Sequence, residues 1–151
     1  MSKSSSGKLR RRAALAALLG GIPLLAACSK GDPQARLEAA VRALQTAIES
    51  RNISDVLGLL DPYFQGSANL DREGIRRLST ATFLRYQNIK VIAVSSSARI
   101  DPKAPTLARV EAQVLVTGAQ GLVPERIEPY AVKMEWRLVD GDWMLSILRW
   151  D

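Results

Sequence analysis

Residues 33–151 are predicted to form one α+β domain, because the hydrophobic period changes along the chain. Apolar residues recur at helical spacing up to about residue 86 and alternate with polar residues from about residue 89. Asp140-Gly141 stands between the last two alternating segments and is a strong signal for a two-residue hairpin turn. These observations predict three N-terminal helices packed on a curved antiparallel sheet of about four strands.

The first helix is predicted to begin at Pro33, which suits the first helical position, with Asp32 as its N-cap. It is expected to end near Arg51-Asn52. Four apolar residues at helical spacing are expected to face the core: Leu37, Val41, Leu44 and Ile48.

Two shorter helices are predicted after it. The second begins from an N-cap at Ser54 and runs to Leu60, where an Asp-Pro pair stops it. Residues 63–69 are expected to form a loop. The third helix is capped around Asp71 and runs to about Tyr86. Its inward residues are expected to be Ile75, Leu78 and either Phe83 or Leu84.

The strands are predicted from their period-2 alternation. They cover residues 89–100, 107–117, 130–139 and 143–150, with a turn at 101–106 and a loop at 118–124. The inward faces of the two middle strands are expected to carry Val110, Ala112, Val114 and Val116, and Val132, Met134, Trp136 and Leu138. The polar faces carry Arg109, Glu111 and Gln113, and Lys133, Glu135 and Arg137.

The first 27 residues have the layout of a secretory signal peptide. They contain five basic residues and no acidic one, although the whole chain carries a net charge of +6; the remainder carries +1. Residues 13–27 are mostly apolar, but the stretch is shorter than the ~20 residues of a membrane span and is interrupted by Gly and Pro. The near-neutral remainder shows no basic stripe, so we expect no nucleic-acid partner.

The residues from Leu25 to Cys28 resemble the lipobox of bacterial lipoproteins. The resemblance implies cleavage between Ala27 and Cys28, lipid attachment at Cys28 and a tether over residues 28–32. It places the protein in the cell envelope, and Ser29 favours the periplasmic face of the outer membrane if the host has two membranes. Arg11-Arg12 leaves twin-arginine export open as an alternative to the general secretory route.

The segment from Trp136 to Trp150, with its Asp-Gly turn and Trp143 at the start of the last strand, resembles the nuclear transport factor 2-like superfamily. This superfamily, also called cystatin-like, includes the SnoaL-type cyclases and ketosteroid isomerase. The order of the helices extends the resemblance over residues 33–151. It implies a cone-shaped pocket between the helices and the concave face of the sheet, in which the family's enzymes place an Asp or His base.

This chain departs from that catalytic pattern because it has no histidine. The aspartates after Cys28 are all expected at caps, at turns or at the terminus. Glu111 and Glu135 are expected on the polar face of the sheet, in cross-strand pairs with basic residues. With no histidine and a single cysteine we expect no metal site, no cofactor and no catalytic residue.

Five residues are speculative ligand-binding candidates. Tyr86 and Tyr130 are the better pocket candidates, because a buried hydroxyl needs a partner. Tyr63 and Trp136 could also line a pocket, although Trp136 fits a simple core as well. Arg149 follows the apolar residues of the last strand and could project into the same space.

Three functions remain open on the sequence. We expect a membrane-anchored, non-catalytic lipoprotein domain that binds a small apolar ligand or an envelope protein. The first alternative is an isomerase- or cyclase-type enzyme that uses a pocket carboxylate or Tyr. The second is a structural or assembly role as a homodimer through the polar face of the sheet.

Overall fold

The computed structural model describes residues 31–121 and 124–151. The predicted signal peptide, the predicted cleavage after Ala27 and the predicted lipid attachment at Cys28 lie outside these ranges. The helices are α1 (Pro33–Glu49), α2 (Ile53–Gly58) and α3 (Arg72–Arg85), and a 3-10 turn covers Ser67–Asn69. The strands are β1 (Leu60–Gly66), β2 (Asn88–Asp101), β3 (Ala104–Ala119), β4 (Arg126–Val139) and β5 (Asp142–Trp150).

Helix α1 begins as the sequence predicts. The Asp32 carboxylate accepts a hydrogen bond from the backbone N–H of Ala35 at 3.2 Å, and Pro33 occupies the first turn. Leu37 and Leu44 are buried in the core, whereas Val41 and Ile48 are half-buried. Among helices within residues 31–121 and 124–151, none is long and apolar enough to span a membrane.

Helix α2 begins two residues earlier than predicted. Asn52, not Ser54, is its N-cap, and the Asn52 side chain accepts a hydrogen bond from the Asp55 N–H at 3.1 Å. The helix ends at Gly58, so the Asp-Pro pair does not stop it. Asparagine and serine are similarly good caps, and position 52 follows Arg51, whose positive φ of 56° ends the preceding turn.

The predicted loop at residues 63–69 is wrong in its first part, because residues 60–66 form strand β1. This strand pairs in parallel with β5, and Leu60 lies opposite Leu145. Leu60 and Phe64 are buried while Tyr63 is exposed, so alternation is present but short. Pro62 is tolerated because β1 is an edge strand.

The sheet therefore has five strands, in the order β1-β5-β4-β3-β2, instead of about four. All pairs except β1 with β5 are antiparallel. The two-residue turn at Asp140-Gly141 is confirmed, with φ of 50° and 86° at the two positions, as a type I′ hairpin requires. The predicted loop at 118–124 is shorter than expected, because β3 extends to Ala119.

Helix α3 is capped by Asp71, as predicted: its carboxylate accepts a hydrogen bond from the Gly74 N–H at 2.7 Å. Ile75 and Phe83 face the core, whereas Leu84 is 80% exposed. The core lies between α1, α3 and one face of the sheet, with Trp136, Val110 and Leu145 completely buried. This arrangement leaves a concave face of the sheet partly covered by helices.

Candidate functional site

A cavity of about 330 Å³ lies between α1 and the concave face of the sheet. Helix α1 contributes residues one and two turns apart, and β2, β3 and β4 contribute the inward residues of each strand. The apolar side chains on β3 and β4 that line it are Ala112, Val114, Val116, Val132 and Met134. The size and lining are those of a small-molecule site, which is concave and mostly apolar with few polar groups.

A second cavity of about 190 Å³ adjoins the first on the side of α3. The two share Leu44, Ile48, Leu78, Leu148 and Trp150 as lining residues. Leu78, predicted to point inward, does so but keeps 46% of its surface exposed. The two spaces are therefore neighbours that share one wall of apolar side chains.

Three polar residues line the larger cavity: Gln45, Ser96 and Tyr130. The Gln45 amide donates a hydrogen bond to the carbonyl of Val91 at 2.8 Å, which fixes its orientation. Within the described residues, no charged side chain lines this cavity. The interior is therefore suited to an apolar body and not to an ion.

A hydrogen-bonded network of Arg126, Glu128 and Tyr130 lies at one end of the cavity. The Tyr130 hydroxyl donates to one carboxylate oxygen of Glu128, and the Arg126 guanidinium donates to the other. These bonds lower the pKa of Glu128, the bond from Tyr130 being the larger cause. The bond to Glu128 and partial burial raise the pKa of Tyr130. We call these three residues the rim network.

The sequence prediction included Tyr130 but missed its two partners in the rim network, Arg126 and Glu128. The fourth strand was predicted to begin at residue 130, but β4 begins at Arg126. Residues 126, 128 and 130 share the face of Val132 and Met134, because side chains alternate along a strand. Extending the alternation backwards by one period would have placed Glu128 on the concave face, and a second period would have added Arg126.

The structure places one of the five predicted ligand-binding residues in the cavity and the other four elsewhere. Tyr130 lines the cavity. Tyr63 is 83% exposed and does not line it, and Trp136 is completely buried as core. Arg149 is exposed and donates to the Gln65 carbonyl at 3.2 Å, because it points to the outer face of β5.

Tyr86 is buried, but against β3 and not in the cavity. Its ring covers Gly118, where an added Cβ would lie 3.0 Å from the ring. The Arg85 guanidinium lies over the same ring, 5.3 Å from its centre. Tyr86 therefore packs beside the rim network, since Gly118 stands opposite Arg126 in the strand register. The bond with Glu128 is the larger cause of the raised pKa of Arg126, and Tyr86 is the second.

The predicted strand carboxylates lie on the outer face of the sheet. Glu111 and Glu135 are exposed and stand opposite Lys133 and Arg109 in the strand register. Asp61 differs from the predicted cap or turn position, because it lies in β1 with 1% of its surface exposed. It accepts a hydrogen bond from the Tyr63 N–H at 2.8 Å, and Arg137 lies 3.1 Å from its other oxygen.

A larger groove of about 630 Å³ lies on the outer face of the sheet near the β2–β3 turn, lined by polar and charged residues such as Arg99, Asp101 and Arg109. Because its lining is largely charged and polar, its size does not make it the better site for an apolar ligand. In the described part of the chain, no group of three metal-ligating side chains is present.

No family model and no curated protein matches the chain. Many solved structures are similar to it. A Caulobacter vibrioides protein with a cystatin-like fold superposes with a TM-score of 0.64 at 15% identity, over 80% of this chain and 89% of that one. An NTF2-like protein from Streptomyces avermitilis, provisionally named a dehydratase, gives 0.66 at 11% identity, over 78% and 93%. The chain has a nuclear transport factor 2-like fold.

The NTF2-like fold was predicted from the last hairpin and the helix order, and this part of the prediction is confirmed. Bd1075 of Bdellovibrio bacteriovorus gives a TM-score of 0.66 at 11% identity, over 76% of this chain, but this chain spans only 40% of that one. Sequence identities of this size show the shared NTF2-like fold alone.

Proposed function

We propose that this protein is a lipid-anchored protein of the cell envelope whose NTF2-like domain binds a small apolar ligand without transforming it. The observation that carries the proposal is the cavity of about 330 Å³, whose lining is apolar except for Gln45, Ser96 and Tyr130. Burial of an apolar ligand there removes apolar surface from water on both partners, at roughly 25 cal/mol per Å².

Native mass spectrometry of the full-length protein, extracted from envelopes, tests the ligand. We expect an added mass that disappears when the cavity is filled by Val114→Phe. The matched control is Gln113→Phe, which places the same ring on the outer face of the same strand. The proposal would be contradicted if the wild-type protein carries no added mass after incubation with an envelope lipid extract.

The anchor is tested separately at Cys28. The resemblance to a lipobox predicts that Cys28→Ser moves the protein out of the membrane fraction, because two or three acyl chains provide a stable anchor. We expect the wild-type protein to lose residues 1–27 and to gain the mass of a diacylglyceryl group. An unmodified Cys28 in the mature protein would contradict the anchoring.

The enzymatic alternative needs a base that faces the cavity. Glu128 is the carboxylate on that face, and two similar NTF2-like structures are provisionally named as dehydratases. A general base works best with a pKa near the working pH, whereas hydrogen bonds from Tyr130 and Arg126 lower the pKa of Glu128. The lowered pKa of Glu128 therefore favours binding over turnover.

The homodimer alternative is favoured by the arrangement of four charges on the outer face of the sheet. Glu111 stands opposite Lys133, and Arg109 opposite Glu135, in adjacent rows of β3 and β4. Among the described residues these four form no ion pair. A second copy can be placed face to face by a two-fold axis that lies in the sheet plane and runs either along the strands or across them. In both arrangements each of these four charges would face an opposite charge on the second copy.

Charge reversal distinguishes these geometries by sedimentation. Glu135→Lys should dissociate either dimer. Adding Arg109→Glu should restore only the dimer whose axis runs along the strands, and adding Lys133→Glu only the one whose axis runs across them. The control is Glu38→Lys, an exposed position on α1. A dimer that persists in Glu135→Lys, or a wild-type monomer, would contradict this alternative.

A further inference from the structure

The polar atoms that the cavity offers to a ligand are mainly acceptors. The Tyr130 hydroxyl uses its proton on Glu128, which leaves its oxygen lone pairs free. The Gln45 amide nitrogen donates to the Val91 carbonyl, which leaves its carbonyl oxygen as the unused acceptor. A ligand that reaches the Tyr130 hydroxyl would form a hydrogen bond with it only if the ligand donates a proton, whereas Gln45 keeps one N–H besides its free carbonyl oxygen.

These acceptors lie at the same end of the cavity. Val91 on β2, Val116 on β3 and Glu128 on β4 are consecutive register partners across the sheet. Because Gln45 is bonded at Val91, its amide lies at the level of the rim network. Two of the three polar lining residues, Gln45 and Tyr130, therefore serve one end of the cavity, while Ser96 lies farther along β2, opposite Ala112.

The rim network is balanced in charge. Arg126 and Glu128 form an ion pair, and in the described residues neither has another oppositely charged partner within ion-pair distance. The carboxylate is one-third exposed, so both charges remain partly solvated. An anionic ligand would have to displace Glu128 from Arg126. A cationic ligand that approached Glu128 would be repelled by the neighbouring Arg126. An uncharged donor meets neither obstacle.

We propose that the rim network and Gln45 form a head-group subsite, and that the ligand is an uncharged amphipathic molecule with an apolar body and a terminal hydroxyl or other neutral donor. This inference rests on the proposed function, because it assigns the ligand class of the same cavity. The lowered pKa of Glu128 supports this assignment, since the carboxylate stays ionised at neutral pH and keeps accepting the hydrogen bond from the Tyr130 hydroxyl.

Displacement of N-phenyl-1-naphthylamine, an uncharged fluorescent probe, from the full-length chain tests the inference. Three competitors with the same ten-carbon body are compared at neutral pH: decan-1-ol, methyl decanoate and decanoate. They present a neutral donor, a neutral acceptor and an anion. We expect decan-1-ol to displace the probe at about fivefold lower concentration than either, the ratio that one net hydrogen bond provides.

Two variants assign the effect to the rim network. Tyr130→Phe should remove the advantage of decan-1-ol over methyl decanoate, whereas the exposed control Tyr63→Phe should leave the ranking of the three competitors unchanged. Glu128→Gln frees Arg126, so decanoate should become the best competitor. Glu135→Gln removes a carboxylate on the outer face and should have no effect on the ranking.

Two outcomes would overturn the inference, and they are distinguishable. If the probe binds and decanoate or methyl decanoate competes as well as decan-1-ol, the head-group subsite is wrong while the apolar cavity stands. If the probe does not bind, or if it binds equally well to Val114→Phe, the proposed function is wrong and the head-group subsite is wrong with it.

Discussion

Glu128 determines the chemistry of the site, because its carboxylate binds both Tyr130, which lines the cavity, and Arg126, which is exposed to water. The Arg126 side chain is 56% exposed, and that of Glu128 is 35% exposed. The two residues follow one another on the same face of β4, so exposure increases along this row from buried Met134 towards Arg126. The inward face of β4 is therefore an apolar wall at Met134 and a water-exposed edge at Arg126.

The network makes stability depend on pH through Glu128. Its folded pKa lies below the ordinary value of 4.5, because Tyr130 and Arg126 donate to the carboxylate. A lowered folded pKa stabilises the protein above the unfolded value, and this contribution is lost as the pH falls through the folded pKa. We expect wild type to exceed Glu128→Gln in Tm at neutral pH, and the difference to narrow in acid.

The measurement is the Tm of both proteins across the acid range, with Glu111→Gln as the control carboxylate on the outer face. A wild-type advantage that keeps its size down to the onset of acid denaturation would contradict the assignment. No change in this advantage is expected between neutral and mildly basic pH, because Glu128 stays ionised there.

Among the elements, the hairpin between β4 and β5 carries the strongest local signal. Gly141 has a φ of 86°, which a side chain with a Cβ tolerates poorly. The Arg36 guanidinium also donates to the Gly141 carbonyl at 2.8 Å, so the turn is bonded to α1. We expect Gly141→Ala to lower the free energy of unfolding by about 1 kcal/mol.

Urea unfolding measures this change, and Gly121→Ala is the matched control. An added Cβ at Gly121 meets nothing within 4 Å, and its φ is not in the left-handed region. Equal stability of the two variants would show that the turn does not require a positive φ at position 141.

The elements also show what the sequence predicts well. Helices α1 and α3 and the last hairpin follow from caps, periodicity and turn residues, all of which are local signals. Strand β1 does not, because seven residues with a proline carry too little alternation. Its identity as a strand comes from pairing with β5, about 80 residues away along the chain.

The site was predicted less completely than the fold. Tyr130 was predicted from its chemistry, since a tyrosine hydroxyl near a core needs a partner. The partner itself, Glu128, was lost with the first four residues of β4. Tyr63 could not be excluded by pattern, because its face depends on the parallel pairing of β1 with β5. Arg149 was misplaced because a bulge between Leu145 and Ile147 reverses the alternation, so that Leu148 and Trp150 line the cavity instead.

In the whole molecule, the polar end of the cavity lies far from the start of α1. The start of α1 is bonded to the β4–β5 hairpin through Trp143, which donates to the Pro33 carbonyl at 3.2 Å. Gln45, twelve residues later, lies at the level of the rim network. At 1.5 Å per residue these points are separated by about 18 Å. If Cys28 carries the lipid, we predict that the rim network lies farther from the membrane than the β4–β5 hairpin does.

This orientation is tested with fluorophores on the lipidated protein in vesicles that contain a headgroup quencher. A label at Asp142→Cys, beside the hairpin, should be quenched more strongly than a label at Glu125→Cys, beside the rim network. We expect equal, weak quenching for both labels when Cys28→Ser removes the anchor. Stronger quenching at position 125 would reverse the orientation.

The central claim is that the space between α1 and the sheet is a binding cavity. The most direct measurement is the affinity of N-phenyl-1-naphthylamine for the full-length chain with Val114→Phe, compared with wild type and with Gln113→Phe. The account predicts saturable binding to wild type and to Gln113→Phe, and its loss in Val114→Phe at an unchanged or higher Tm. Equal binding to all three proteins, or saturable binding to none, would contradict it.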